Sequence, residues 1–135
     1  LKTFIKADKG EDKAKIKGDE IKRLSRCFSF LDVSYAETKL GDTNLARDLV
    51  HFYTMVTVLL SSSLLDAEGA PPNYPGVRAK LLAFATLLPE DAPVPKDQKI
   101  ADALADYRQA ATRQTTHPGR RATRHKKLLE ILEAL

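Results

Sequence analysis

The sequence predicts an all-α fold, a bundle of four to five helices joined by Pro/Gly-rich connections, and three observations carry that prediction. Apolar residues recur at spacings of three and four along most of the chain. No run alternates with period two for long enough to make a strand. Two stretches, DAEGAPPNYPG at 66–76 and PEDAPVP from Pro89, interrupt the helical pattern with turn residues. A chain of 135 residues is the size of one domain and buries roughly two-thirds of the surface its unfolded form exposes, enough for a core without staples.

Residues 1–17 mix both charges with few large apolar side chains and read as a flexible basic lead-in to a single domain over 18–135. From Asp19, Ile21, Leu24, Phe28, Leu31 and Tyr35 form the stripe of an amphipathic helix that runs to about Leu40, where Gly41 supplies a stop. Phe30 and Val33 fall off that stripe. Asp42 or Thr43 then caps a second helix, whose broad face carries Leu45, Leu49, Phe52, Tyr53, Val56, Leu59, Leu60 and Leu64. Its back is also free of charge, since the seventeen residues from Leu49 to Leu65 contain no Asp, Glu, Lys or Arg. A helix apolar all round is buried all round, and the polar interruptions at His51, Thr54, Thr57 and Ser61 argue against a membrane span. A third helix is expected from Val77 to Leu88, a fourth from Lys96 to about Thr115, and a fifth from Pro118, a residue suited to the first helical position.

The single cysteine, Cys27, excludes an intramolecular disulfide and a zinc finger, and points to a reducing intracellular compartment. No phosphate loop, metal-ligand spacing or nucleophile elbow occurs, so no cofactor, metal or catalytic residue is expected. His51, within the second helix, reads as a structural histidine, and Cys27 as a buried inert thiol. The net charge of +4 is unevenly spread. Residues 1–26 carry nine Lys/Arg against five Asp/Glu, residues 27–106 six against eleven, and residues 107–135 seven against two. A mildly acidic middle between basic ends suits contact with nucleic acid or an acidic partner; the plainer reading is that the basic ends solubilise the chain.

The C-terminal cluster RQAATRQTTHPGRRATRHKK is the stronger signal. Arg120, Arg124 and Lys127 share one helix edge, Arg121 and Lys126 flank them, and Arg113 approaches across the HPG turn. Guanidinium forks grip phosphates, and the helix start at Pro118 adds backbone donors. The stretch lacks aromatic residues that could stack on bases, so RNA contact is expected at the phosphate backbone. The alternative is a solvated face or ion pairs to an acidic protein.

Two resemblances add to this. Arg120 and His125, enclosing four residues, resemble the arginine–histidine motif of the HEPN ribonucleases, which implies metal-independent RNA cleavage. Five residues on a helix turn about 500°, so the two side chains stand about 140° apart, which argues against it. Separately, DLVHFYT with Asp48, Leu49, Val50, Tyr53 and Thr54, then Gly69, then NYPGVRAKL with Pro75, Val77 and Leu81, resembles the helical domain of nuclear-exosome cofactors, neuroguidin and small-subunit processome proteins. Tyr74 stands where that family usually has His, and Gly76 intervenes before Val77. The resemblance implies a nuclear, non-enzymatic domain that intertwines with helices of a protein partner and helps hold RNA with a basic tail.

The expectation is therefore an adaptor in RNA processing or degradation. RNA would meet Arg113, Arg120, Arg121, Arg124, Lys126 and Lys127. A helical protein partner, or a second copy of the chain, would dock on Phe30, Val33, Val50, Thr54 and Val58. No membrane contact is expected. The competing readings are the HEPN-like ribonuclease and a structural subunit of a helical assembly.

Overall fold

The computed structural model describes residues 10–66 and 73–135, and shows an all-helical bundle with no strand among them. Its helices are α1 (Gly10–Glu37), α2 (Asn44–Arg47), α3 (Leu49–Ser61), α4 (Pro75–Leu87), α5 (Gln98–Ala110) and α6 (Pro118–Ala134), with a 3-10 turn at Leu40–Asp42. The all-α class holds. Six helices replace the expected four to five, because the second helix is two. Asp48 leaves the helical conformation and its carboxylate accepts the Val50 amide at 2.9 Å, so it ends α2 and caps α3. The helix also starts earlier than expected in α1: residues 10–17 of the anticipated lead-in are helical, while 1–9 lie outside the described residues.

The core gathers Phe30 and Leu31 of α1, Met55 and Val58 of α3, Leu81 and Phe84 of α4, Leu104 and Tyr107 of α5, and Leu128 and Ile131 of α6. Aromatic rings meet edge to face, Phe84 on Tyr107 at 5.3 Å and Phe30 on Tyr74 at 5.7 Å. Tyr74 adopts a left-handed backbone, φ 38°, at the N-cap of α4. Its ring on Phe30 and its hydroxyl on the Leu65 carbonyl, 3.1 Å away, offset the cost of that conformation. Cys27 is fully buried, and burial pushes its thiol up to about 11, so it stays protonated and inert at neutral pH.

The face that α1 turns inward differs from the expected stripe. Cys27, Phe30, Leu31 and Ser34 are buried, whereas Ile21, Leu24 and Phe28 are exposed, Phe28 by 46%. Polar demand explains the rotation. The last turn of α3 and the loop after it present carbonyls with no helical partner. Arg23 donates to Leu60 O at 2.9 Å and Arg26 to Leu65 O at 3.1 Å. Both arginines also pair with Asp66. Turning these arginines toward α3 carries Ile21, Leu24 and Phe28 to the outside.

The same device recurs. Arg108 of α5 donates to the Leu87 carbonyl at the end of α4 and to Pro89 O at 2.8 Å. Helix starts use shorter means: Asp97 accepts the Lys99 and Ile100 amides, and His117 Nδ1 accepts the Gly119 amide at 3.0 Å. A Cβ at position 119 would stand 3.2 Å from that imidazole nitrogen, so glycine makes room for the ring.

Candidate functional site

The basic cluster is divided by the packing of α6. Its core-facing line is Arg124, Leu128, Ile131 and Leu132. One edge beside that line faces α5: Arg120 donates to Gln109 O at 2.9 Å, and Lys127 pairs with Asp106 and Glu130, each at 3.6 Å. The other faces α3, where Arg121, Ala122 and His125 oppose Tyr53 and Thr57.

Arg124 corrects the expected phosphate grip most sharply. It is 2% exposed. Its Nε donates to Thr54 Oγ1 at 3.1 Å, one terminal nitrogen to Ala110 O at 2.9 Å and the other to Thr115 O at 2.9 Å. The guanidinium thus ties α3 to the end of α5 and to the α5–α6 turn. Among the described residues no carboxylate pairs with it. Burial is the main reason that its pKa is lowered; Tyr107 opposes the shift and the neighbouring Arg121 adds to it.

A second buried polar pair lies nearby. His51 Nδ1 is 2.8 Å from the Tyr107 hydroxyl, with the rings stacked at 5.5 Å. Burial raises the Tyr107 pKa and lowers that of His51, where Asp48 partly opposes it. Both groups are therefore neutral near pH 7, and a single hydrogen bond joins the tyrosine hydroxyl to the imidazole, its direction set by the histidine tautomer. This is the structural histidine read from the sequence.

Of the remaining expected phosphate contacts, Arg113, Arg121 and Lys126 are exposed. Lys126 is five residues beyond Arg121, so it points about 140° away around α6. Arg113 lies in the α5–α6 turn and is not among the residues lining the two clefts that Arg121 shares. The structure thus leaves Arg113, Arg121 and Lys126 exposed, with Arg121 lining both clefts, and sends Arg120, Arg124 and Lys127 into internal contacts.

The expected protein-docking face is also corrected. Phe30 and Val58 are fully buried and Thr54 is 2% exposed, while Val33 and Val50 are half-buried. The back of α3 is covered from within the chain by α6 and α1, so those three side chains are not available to a partner in this fold.

Two residues placed on the buried face of the second helix are instead outside: Leu49 is 79% exposed and Tyr53 50%. The signal for this was Asp48, which caps α3 so that the helix restarts at Leu49 and both residues fall in its first two turns. Tyr53 lies between two adjoining clefts, one of 360 Å³ toward Thr57 and His125 and one of 340 Å³ toward Thr115 and Arg124, with Arg121 shared by both. Behind the first cleft's Thr57 and His125, the Ser61 hydroxyl donates to Thr57 O at 2.7 Å and accepts from His125 Nε2 at 3.1 Å. The serine proton is therefore directed at a carbonyl, away from the imidazole. Arg120 and His125, the ribonuclease-like pair, occupy opposite edges of α6, engaged with Gln109 and Ser61 respectively.

Among the described residues no group of three or more His, Cys, Asp or Glu is placed to hold a metal ion, and no helix is long and apolar enough to cross a membrane. No family model, curated protein or solved structure matches this chain.

Proposed function

We propose that this chain is a non-enzymatic helical module that binds single-stranded RNA along the α3–α6 edge, with Arg121 and Arg113 on phosphates and Tyr53 stacked on a base. The observation that carries the reading is the half-exposed Tyr53 ring sharing both clefts with Arg121. Single-strand binders combine a cationic track with an aromatic platform, and stacking tolerates any base. The expectation of backbone contact alone is widened by this, because the aromatic comes from α3, far from the basic stretch in sequence. The likeness to the helical domain of exosome cofactors supports the same class of work, RNA handling without catalysis. The docking of a helical protein partner loses its expected surface, since Phe30, Thr54 and Val58 are internal.

Fluorescence anisotropy with a labelled oligouridylate tests the reading. Each phosphate neutralised on a single strand contributes roughly −0.7 to the slope of log affinity against log salt, so two arginines give about −1.4. Arg113→Ala with Arg121→Ala flattens that slope and weakens binding, Tyr53→Ala weakens binding with the slope kept, and Arg120→Ala with Lys127→Ala changes neither. Parental affinity in both the arginine and the tyrosine variants overturns the proposal. The same RNA stays intact on incubation with the protein in EDTA; cleavage that His125→Ala abolishes would favour the ribonuclease reading.

A further inference from the structure

Three large apolar side chains that the bundle leaves outside stand on one strip of α1. Ile21, Leu24 and Phe28 are 40–57% exposed and spaced by three and four, and the strip runs on into Leu31 and Tyr35, which the bundle covers wholly or in part. That is the spacing by which helices pair along a seam. The helix is 28 residues long, about 42 Å, yet residues 18–26 place no side chain in the core, which α1 enters only at Cys27. A helical stretch without a packed face is marginal in water. Beside the strip, a cleft of 240 Å³ between α1 and the end of α3 is lined by Glu20, Arg23, Leu24 and Leu60, and it carries the apolar surface across to α3. A contiguous apolar surface of this kind marks an interaction site.

We infer that a second copy of this chain covers the strip, the two α1 helices crossing antiparallel with their two-fold axis beside Ser25. Leu24 of each copy then meets Phe28 of the other, and Ile21 closes each end of the seam. Charge favours a like partner. Residues 18–32 hold three acids, Asp19, Glu20 and Asp32, and three bases, Lys22, Arg23 and Arg26. The strip therefore offers no net charge to RNA or to a charged protein, and two copies meet there without repulsion. Gly18, Ser25 and Ser29 border it on the side away from α3, and a Cβ at Gly18 would meet nothing within 4 Å. Small side chains on that border let the two backbones come close, and antiparallel pairing sets the two helix dipoles in opposition. Covering the strip and its borders on both copies removes on the order of 1,000 Å² from water, the lower end of specific interfaces, so the dimer is reversible. Tyr53, Arg113 and Arg121 lie off the strip, and pairing does not use the residues of the RNA edge.

Sedimentation equilibrium over a range of concentrations tests this. The mass is expected to rise from 15.0 kDa toward twice that value as the concentration passes roughly 10–100 μM. Leu24→Glu with Phe28→Glu, both on the surface, keeps the helical circular dichroism and holds the mass at 15.0 kDa throughout. Oxidative cross-linking reads the direction. Ser25→Cys bridges to its mate across the axis, whereas Gly18→Cys, roughly 20 Å from its mate in the antiparallel pair, does not. Cys27 is buried and does not compete. A mass of 15.0 kDa at every concentration overturns the self-pairing and leaves the strip to a different protein. A dimer that survives the double glutamate variant overturns it too, and equal bridging at both cysteine positions overturns the antiparallel arrangement.

Discussion

The two edges of α6 are built from the same basic stretch and do opposite things. Toward α5, Arg120 donates to the Gln109 carbonyl and Lys127 sits between Asp106 and Glu130. Toward α3, Arg121 stays exposed beside an aromatic ring and two clefts. The difference lies in the acceptors that each edge meets. The C-terminus of α5 offers orphan carbonyls, and arginines opposite them are drawn in. The α3 edge offers the hydroxyls of Thr54, Thr57 and Ser61, which donate to carbonyls of their own helix; Thr54 accepts from Arg124 and Ser61 from His125, and among the described residues none accepts from Arg121. Arg23, Arg26, Arg108, Arg120 and Arg124 all end on carbonyls at or just beyond a helix C-terminus or in an interhelical turn. In this molecule arginine closes helix ends before it serves the surface.

The sharpest way to break that contrast is Arg124→Ala. It removes three hydrogen bonds, strands the Ala110 and Thr115 carbonyls and opens a cavity, so stability falls by about 3 kcal/mol, read as a lower urea midpoint. A loss below about 0.5 kcal/mol would mean that the buried fork is not the tie described.

The His51–Tyr107 pair gives a smaller effect with a pH signature. The folded protein holds His51 below its ordinary value of 6.5, chiefly by burial, so the unfolded chain binds its proton more readily. This contribution is complete above about pH 6.5 and is lost as the pH falls through the lowered folded value. His51→Gln, whose amide offers both a donor and an acceptor to Tyr107 but does not titrate, flattens the stability–pH curve in that window. Tyr107→Phe leaves the imidazole nitrogen unsatisfied and costs about 1 kcal/mol at neutral pH.

The smallest effects separate the two edges directly. Arg120→Ala loses one partly exposed bond to a carbonyl, about 0.5–1 kcal/mol, and leaves RNA affinity alone. Arg121→Ala changes stability by less than about 0.5 kcal/mol while weakening RNA binding. Equal behaviour of the two variants in both measurements would erase the distinction between the edges.

Much of the fold was legible because its signals are local. Helical spacing, Pro118 at a helix start and the Pro-rich connections marked the class and most of the elements. The site was less legible. A spacing of 0, 4 and 7 grouped Arg120, Arg124 and Lys127 on one side of α6, but spacing does not reveal that Arg124 turns to the core while Arg120 and Lys127 face α5. On α1 the apolar stripe pointed to Ile21, Leu24 and Phe28, yet those residues are outside because Arg23 and Arg26 face α3. Hydrophobic periodicity counts apolar surface and is blind to orphan carbonyls on another helix.

What the sequence by itself determined is the all-α class, the helix start at Pro118 and the burial of Cys27. Only the tertiary structure decided that Arg124 is a strut, that Arg121 is open, and that Tyr53 stands beside it. The reason is physical: helix formation and capping depend on residues a few positions apart, whereas the fate of an arginine depends on which acceptors packing brings to it, and those come from 9 to 70 residues away.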